Sequence, residues 1–397
     1  MLCVFIDKTI LYSDVYFISH DVNSGDDIEN DLFNLGEKQM NNIKDDDQPI
    51  CTDDDQSWYE VSELKIKLPQ GNRDAEIFAN GRNRVAIDIY IQATNCKNNT
   101  ILVSSNQLLQ HVWLVDYDTQ EPLAWNAQEK DDFTWAYIDK PNEFTRTPRV
   151  SSLNNNEDDT KLSRITYYVY CSPKAASQIK QLAVLVTTPA GKTYSTAFGA
   201  ESSFDAFVQL LAIHETRYKV SDIDMVAKDV KEYDDDGPPY AHWFQYNTYV
   251  KLKRDDRYIV SLSWSRDNSL TGNNIPFNCM HQRYHETGYH QDWNNGYYYV
   301  HFIWSLGEET YVSIGNTTWW DLPINFNVDI KIRQEGSEVV CFTVMYALIW
   351  IDSMLHDTWF DDFTIYIHDQ YGNLGEFLAQ PRNDNDEEKR KVHLIDT

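Results

Sequence analysis

The chain lacks the features that most often assign a protein to a membrane-spanning or nucleic-acid-binding class. Its longest apolar run, Val339 to Ile351, has 13 residues, which is too few to cross a bilayer as a helix. Only 34 lysines and arginines stand against 62 acids, and the formal charge is −28 with no basic stripe for phosphates. The same charge disfavours anionic membrane surfaces. We therefore expect no nucleic-acid partner and no transmembrane segment.

Cysteine is also scarce, with six residues in 397 and no CxxC pair. This density is too low for a disulfide scaffold, and a zinc knuckle needs paired cysteines. Cys341 lies in an apolar run and is expected to be a buried, inert thiol. The N-terminal segment Met1–Lys8 lacks a basic region and predicts a strand, not a classical signal peptide. The protein is therefore expected to be soluble, and either cytoplasmic or released by a non-classical route.

Catalytic motifs are missing as well. The chain has no GxSxG, no glycine-rich phosphate loop and no Cys–His family signature. Pairs of acids such as Asp361-Asp362 occur, but 62 acidic residues make such pairs expected by chance. Glycoside hydrolysis needs two acids at a set separation in space, which a sequence does not display. We therefore predict no catalytic residue and favour a non-enzymatic protein.

Aromatic residues, in contrast, are abundant, with 25 Tyr, 12 Trp and 17 Phe. Such residues favour half-buried pleated surfaces and contribute strongly to interfaces. Strict alternation in Leu64–Leu68 and Val85–Ile91 indicates strands with one buried face, and similar segments recur as far as Phe363–Asp369. Their length and spacing are typical of sandwiches. The predicted fold class is all-β, with two antiparallel β-sandwich domains of Ig-like or jelly-roll-like type.

Changes of composition along the chain predict its domain boundaries. The sequence from Tyr233 to Pro239 is Tyr-Asp-Asp-Asp-Gly-Pro-Pro, which can continue neither a helix nor a strand. We therefore predict a linker there. The predicted divisions are an N-terminal strand and acidic loop region (1–57), an Ig-like sandwich (58–232), the linker (233–239), a second aromatic-rich sandwich (240–380) and a charged tail (381–397).

One segment, Ala75–Asn95, combines a turn with an alternating strand. Its turn is Ala79-Asn80-Gly81, and its alternating apolar residues are Val85, Ile87, Ile89 and Ile91. The segment resembles the opening of bacterial immunoglobulin-like domains of the invasin and intimin type, where such a turn precedes an alternating strand. The resemblance implies a sandwich fold and a spacer or adhesive module on a cell surface. It transfers no functional residues.

A group of six aromatic residues lies between residues 279 and 299. Planar rings interspersed with amides, acids and histidines suit a glycan or protein surface. Turn-forming residues on both sides, at Thr271–Asn274 and Asn294–Gly296, predict that this segment is a loop. The alternative is that most of these rings pack in the core, as Tyr298 within a predicted strand would. The predicted ligand-binding residues are Tyr284, Tyr289, Asp292, Trp293, Trp319 and Trp320.

The same segment contains possible zinc ligands. Cys279, His281 and His285 offer thiolate and imidazole groups, and the two histidines would share one face if the segment were helical. The spacing does not reproduce HExxH, and the flanking turns favour an ordinary polar loop. A calcium loop starting at Asp21 also fails, because its glycine comes one position early and Leu32 replaces the bidentate acid. We predict no cofactor, and keep zinc or calcium as the less favoured alternative.

The combined pattern predicts a recognition or assembly protein, bacterial and host-interacting, that binds a glycan or protein partner through aromatic loops. Acidic surfaces keep such a protein in solution. Three alternatives remain open: a toxin or toxin component of the insecticidal or pore-forming type, a glycan-active enzyme, and a self-assembling inclusion or structural protein. Self-association would strengthen as the pH approaches the sequence pI near 4.6.

Overall fold

The computed structural model describes residues 57–128, 130–148, 162–200, 204–234, 241–264, 283–292, 295–304, 306–307, 311–314, 317–319, 322–324, 328–331, 338–349, 363–381 and 392–397. All of them belong to one compact unit of the chain, residues 53–397. Within that unit the strands gather around two hydrophobic cores, which we call the first lobe and the second lobe.

The first lobe contains eleven of the described strands and one helix. The strands are β1 (Glu60–Lys67), β2 (Asp74–Ala79), β3 (Val85–Thr94), β4 (Thr100–Ile101), β5 (Val112–Asp116), β6 (Ala124–Trp125), β7 (Trp135–Ile138), β8 (Ser163–Cys171), β9 (Ile179–Thr187), β10 (Thr193–Ser195) and β11 (Val208–His214). The helix is α1 (Ser105–His111), which begins where the Ser104 hydroxyl accepts a hydrogen bond from the Gln107 amide.

These strands form two sheets that face one another. The first sheet has the order β1-β3-β8-β7-β6, with β4 beside β3. The second has the order β10-β9-β11-β2, with β5 beside β9. Alternate residues of β3 and β9 point into the shared core, for example Ile89 and Val184, which are both fully buried. Each such side chain contributes about 1.5 to 3 kcal/mol by leaving water, so the period-two pattern of the sequence is also the pattern of burial.

The remaining described strands, most of which form the second lobe, follow in the chain. They are β12 (Ile223–Asp234), β13 (Ala241–Leu252), β14 (Ile259–Trp264), β15 (Arg283–Asp292), β16 (Asn295–Trp304), β17 (Tyr311–Ile314), β18 (Thr317–Trp319), β19 (Leu322–Ile324), β20 (Val328–Lys331), β21 (Val340–Ile349), β22 (Phe363–Asp369), β23 (Leu374–Pro381) and β24 (Val392–Asp396).

The second lobe is a sandwich too. A third sheet, β12-β13-β21-β16-β15, lies across the core from a fourth sheet, β14-β22-β23-β24. Phe342 of β21 and Phe377 of β23 are fully buried in this core. Two smaller pairs, β17 with β20 and β18 with β19, complete the described strands. The predicted all-β fold with two sandwiches is therefore confirmed, and so is the buried position of Cys341.

The segment that resembles an immunoglobulin-like domain connects the two sheets of the first lobe. Its strand β2 belongs to the second sheet and β3 to the first, so the turn at Asn80-Gly81 crosses between layers. The Asn80 side-chain oxygen accepts hydrogen bonds from the amides of Arg82 and Asn83, at 2.9 and 2.8 Å. Gly81 has a φ of 73°, a left-handed conformation that glycine adopts without strain. The Ala-Asn-Gly sequence thus makes a layer-crossing corner.

The predicted linker at 233–239 is wrong as a domain boundary. Tyr233 and Asp234 are the last residues of β12, which pairs with β13 from Ile223↔Leu252 to Asp234↔His242. The segment therefore connects two neighbouring strands of one sheet. The chain instead passes from the first lobe to the second just after β11. The predicted charged tail also contains a strand, because β24 pairs with β23.

A buried polar turn at Asp369–Asn373, between β22 and β23, joins the two lobes. Asp369 is fully buried, and its carboxylate accepts hydrogen bonds from the amides of Tyr371 and Asn373 at 2.8 and 2.9 Å. It also accepts bonds from the Asn373 side-chain amide at 2.9 Å and the Tyr218 hydroxyl at 2.8 Å. Burial, together with this carboxylate, raises the pKa of Tyr218. The turn is therefore held by hydrogen bonds from within its own lobe.

The first lobe packs directly on this turn. The side-chain amide of Asn80 donates a hydrogen bond to the Tyr371 carbonyl at 2.9 Å. The ring of Phe78 lies 5.5 Å from that of Tyr371, and the Arg257 guanidinium lies over both, at 5.1 and 4.5 Å. A Cβ at Gly372 would come within 2.7 Å of the Arg82 Cβ. Backbone of one lobe thus meets side chains of the other at van der Waals distance.

Candidate functional site

The segment predicted to be an aromatic loop is a β-hairpin. Residues 283–292 form β15 and residues 295–304 form β16, and the two strands pair antiparallel. The prediction of a loop is wrong because Asn295 and Gly296 are the first two residues of β16 and do not mark the end of an irregular stretch. His285 lies on a strand, so the helical arrangement in which it would share a face with His281 does not apply to it.

The hairpin lies at one edge of the third sheet. Strand β16 pairs with β21 and carries β15 outside it, and among the described residues β15 pairs with no other strand. The register between β15 and β16 shifts twice, between Arg283 and His285 and between Glu286 and Tyr289. Bulges of this kind twist a strand and are frequent at sheet edges and beside functional sites. Within the described strands, the hairpin therefore ends the third sheet on this side.

Four of the predicted site residues lie on described backbone. Tyr284, Tyr289 and Asp292 are on β15, where Tyr289 stands opposite Tyr298 and Asp292 opposite Asn295. Trp319 is the last residue of β18. The other predicted contact residues, Trp293 and Trp320, lie outside the described residues. The role of all six in ligand binding stays a prediction.

Of the predicted zinc ligands, His285 lies on β15 opposite His301, while Cys279 and His281 lie outside the described residues. Within the described part of the chain, no group of three or more His, Cys, Asp or Glu side chains could hold a metal ion. The metal site at residues 279–285 stays a prediction. The described helix α1 is short, and no helix in the described ranges has the length and apolar character needed to cross a bilayer.

The first lobe presents two exposed aromatic side chains that the sequence did not single out. Trp125, on the short edge strand β6, is 50% exposed, and Phe198 is 66% exposed. Composition could not separate these rings from buried ones, because Tyr167 in the same sheet is fully buried. A useful signal was the flanking sequence, since Trp125 is followed by Asn-Ala-Gln and Phe198 by Gly, which mark the ends of regular structure.

Phe198 covers a second, smaller aromatic cluster on the outer side of the second sheet. Its ring lies 6.3 Å from that of Tyr117, which lies 4.5 Å from Phe207. The Arg73 guanidinium stacks on Phe207 at 3.4 Å. The Tyr117 hydroxyl donates a 2.6 Å hydrogen bond to Asp205, and this bond raises the pKa of Tyr117. The cluster anchors the segment after β10 onto the sheet.

An exposed hydroxyl–imidazole pair occurs at Ser177 and His214. The Ser177 Oγ lies 3.0 Å from the His214 Nε2, and the Ser177 amide donates to the Ala212 carbonyl at 2.7 Å. Ser177 has a φ of 68°, so these bonds hold a left-handed turn. Nucleophilic catalysis needs an orienting group and oxyanion donors in addition to such a pair. Its open position at the surface makes a structural role the better explanation.

Several titratable groups with shifted pKa values are buried and belong to the packing. Burial raises the pKa of both the Cys171 and Cys341 thiols to about 12, so neither is a reactive thiolate. Burial also lowers the pKa of His368, whose ring packs 5.5 Å from Phe144 at the junction of the lobes. Cys96 is disulfide-bonded, which the sequence had left open.

No protein-family model matches the chain, and no curated protein matches it. Among solved structures, it is similar to the C-terminal domain of the antigen I/II polypeptide BspA from Streptococcus agalactiae, with a TM-score of 0.20 and 10% identity, covering 84% of this chain and 99% of that one. A variant of the CFA/I adhesin CfaE of enterotoxigenic E. coli gives 0.18 and 8%, covering 81% and 88%. The collagen-binding domain of Erysipelothrix rhusiopathiae RspB gives 0.12 and 9%, covering 86% and 94%. TM-scores this low carry no argument, so the fold assignment rests on the strands themselves.

Proposed function

We propose that this chain is a non-enzymatic recognition protein, bacterial and host-interacting, which binds a glycan or protein partner through the aromatic hairpin β15–β16 and the Trp319-Trp320 segment. The observation that carries the proposal is the position of the hairpin at the edge of the third sheet. An edge strand offers backbone donors and acceptors to a partner in addition to its side chains.

The composition of the hairpin supports this role. Its two strands, of 10 residues each, carry Tyr284, Tyr289, Tyr297, Tyr298 and Tyr299, or one residue in four. Tyrosine gives a large contact area at a small entropic cost and keeps a polar hydroxyl for hydrogen bonds. Two packed lobes behind the hairpin supply a rigid scaffold, which lowers the cost of ordering on binding.

The disulfide at Cys96 supports a location outside a reducing compartment. Disulfides persist in secreted and surface proteins and are rare in the cytoplasm. A protein that meets a host surface would work in such conditions. Of the two locations that the sequence allowed, we therefore favour release from the cell. Mass analysis of non-reduced peptides from the natural source would test the bond, and a free Cys96 thiol would contradict this location.

The partner can be sought with the full chain on a glycan array and in a capture experiment with host-surface proteins. We expect binding that is lost in the double variant Trp293→Ala/Trp320→Ala and in Tyr289→Ala. Binding unchanged in all of these variants would overturn the proposal.

Three rival functions give different results in simple assays. A toxin component would release dye from receptor-bearing liposomes. A glycan-active enzyme would turn over a polysaccharide, with loss of turnover on acid-to-amide substitution. A self-assembling protein would scatter light increasingly as the pH falls towards 4.6.

A further inference from the structure

Trp125 occupies an unusual position in the first lobe. It is on β6, the terminal strand of the first sheet, and half of its side chain is exposed. Strand β6 has only two residues and runs parallel to β7, with Trp125 opposite Tyr137. A large apolar ring at a sheet edge is a costly residue to leave in water, since a stable fold gains more by burying it. The exposed half of the ring therefore calls for an explanation beyond packing.

The ring is fixed in place by two buried tyrosines. The Trp125 indole lies 5.0 Å from the ring of Tyr137 and 6.0 Å from that of Tyr167, at near-perpendicular angles of 76° and 80°. Both tyrosines are buried, and the Tyr167 hydroxyl donates a 2.7 Å hydrogen bond to the Val112 carbonyl. The indole is thus held by core side chains that cannot rotate freely. A fixed ring loses little entropy when a ligand stacks on it.

Exposed amide side chains follow the ring directly. Asn126 has a left-handed φ of 50°, and its backbone N–H donates a hydrogen bond to the Tyr137 carbonyl at 2.9 Å. The Gln128 side-chain amide donates to the Asn126 carbonyl at 3.1 Å, and the Tyr170 hydroxyl holds the Ala127 carbonyl at 2.7 Å. These bonds order the backbone of 126–128 beside the indole. A sugar ring needs this combination, an aromatic surface for its apolar face and amides for its hydroxyls.

The local charge selects the kind of sugar. Residues 118–132 contain five acids and one lysine, which gives this segment of the sequence a net charge of −4. The Asp131 carboxylate accepts a 2.6 Å hydrogen bond from the Gln128 amide, so it is part of the same loop. A sulfated or carboxylated glycan would be repelled by this surface, and the whole chain is acidic as well. An uncharged chain of sugars has no such penalty.

We propose that Trp125, with Asn126 and Gln128, forms a binding site for an uncharged oligosaccharide on the first lobe. This site is separate from the hairpin of the second lobe, and the two proposals can fail independently. Trp125 supplies the stacking surface, and the two amides supply hydrogen bonds to hydroxyls. Binding here needs no movement of the fold, because the residues that hold the ring belong to the core of the lobe.

The test uses calorimetric titration of the full chain with chitotetraose, cellohexaose, maltohexaose and mannohexaose, and with heparin and hyaluronan as anionic comparators. We expect at least one uncharged oligosaccharide to bind and both anionic polymers to bind more weakly. Trp125→Ala is expected to weaken that binding about tenfold or more, since a stacked ring is a dominant contact. Trp125→Phe, which keeps a ring, is expected to lose less.

Phe198→Ala is the matched control, because it removes the other exposed ring of the same lobe and is expected to leave affinity unchanged. The melting temperature of each variant separates loss of the site from loss of the fold, and Trp125→Phe remains informative if Trp125→Ala unfolds. The proposal is overturned if no uncharged probe binds at millimolar concentration, if only the anionic polymers bind, or if Trp125→Ala and Phe198→Ala bind alike. Loss of binding only in the hairpin variants would overturn this site while leaving the proposed function standing.

Discussion

Two hairpin turns of this molecule have the same local structure and opposite surroundings. In the turn Thr188–Lys192 the backbone amide of Thr188 donates a hydrogen bond to the Lys192 carbonyl at 2.9 Å. The backbone amide of Gly191 donates one to the Thr188 carbonyl at 2.8 Å. In Asp369–Asn373 the equivalent bonds are 3.1 and 2.9 Å. Gly191 and Gly372 have φ values of 79° and 76°. Yet the first turn is open to solvent at its glycine, and the second is buried between two lobes.

The pair shows that tertiary surroundings, more than local geometry, decide how much a turn contributes. In both turns the side-chain oxygen of the first residue accepts a hydrogen bond from the backbone amide of the fifth. Thr188 accepts it from Lys192, and Asp369 accepts it from Asn373. The Thr188 hydroxyl also donates a hydrogen bond to the Tyr59 carbonyl at 3.3 Å, whereas the Asp369 carboxylate, which carries a charge, also accepts one from the Tyr218 hydroxyl at 2.8 Å. The difference between the turns should therefore appear as a difference in the free energy of unfolding when equivalent residues are changed.

The largest effect is expected at the first position of each turn. Asp369→Ala leaves buried donors of Tyr218, Tyr371 and Asn373 without their acceptor, and should lower the free energy of unfolding by about 3 to 5 kcal/mol. Thr188→Ala, in the open turn, should cost about 1 kcal/mol. Urea unfolding followed by fluorescence measures both. Equal losses would show that the burial of the Asp369 turn adds nothing.

The glycine positions provide the next comparison. At Gly191 nothing lies within 4 Å of an added Cβ, so Gly191→Ala carries only the left-handed backbone strain, about 1 to 2 kcal/mol. At Gly372 the added Cβ would meet Arg82 at 2.7 Å and Phe144 at 3.2 Å, which adds about 1 to 3 kcal/mol of overpacking. We expect Gly372→Ala, but not Gly191→Ala, to split the calorimetric unfolding peak as the lobes separate. A single peak in both variants would contradict the account of the junction.

A smaller, pH-dependent effect is expected at His368, which adjoins the buried turn. Its folded-state pKa is lowered below the ordinary 6.5, mainly by burial and further by Arg82, while Asp369 and Glu143 oppose the shift. The unfolded chain therefore takes up a proton first, so stability is full above about pH 6.5 and falls as the pH drops below it.

His368→Phe should remove this part of the slope, at most about 1.4 kcal/mol per pH unit. His214→Ala, an exposed histidine, serves as control. Melting temperatures between pH 7.5 and 5.5 measure the slope, and parallel curves for wild type and His368→Phe would disprove the assignment.

The smallest effect is expected in a third turn of the same form, Asn95–Asn99. Its hydrogen bonds are 3.0 and 3.0 Å, and Asn98 takes the glycine position with a φ of 60°. Asparagine tolerates this conformation better than most residues. Asn98→Gly should therefore change the free energy of unfolding by less than about 0.5 kcal/mol. A gain above 1 kcal/mol would mean that Asn98 is strained, and that the open turns are less alike than their geometry suggests.

The same distinction explains what the sequence could predict. Alternation in β1 and β3 and the unbroken apolar run of β21 predicted strands correctly, because their side chains repeat with the period of the backbone. The break at Gly237-Pro238-Pro239 was misread, since its residues report a local interruption and not whether the flanking strands pair. The Asn-Gly residues before Tyr297 were misread in the same way, as the end of a loop.

The sequence also could not predict which individual aromatic rings are exposed to solvent. Trp125 and Tyr167 both lie in strands of the first sheet, β6 and β8, but Trp125 is half exposed and Tyr167 is fully buried. The outcome depends on which ring lies at the edge strand, and strand order is set by contacts between residues far apart in the chain. The short helix α1 was missed because only Leu108 is buried, so it has no apolar periodicity.

The central claim is that rings at the edges of the sheets bind a partner while the two lobes act as scaffold. The most direct test compares wild type with Trp293→Ala/Trp320→Ala for binding to the glycan or protein that the array identifies, and records the melting temperature of each. The account predicts at least tenfold weaker binding, about 1.4 kcal/mol, with the melting temperature nearly unchanged. Unchanged binding, or a loss of stability of about 3 to 5 kcal/mol that marks these rings as core residues, would contradict it.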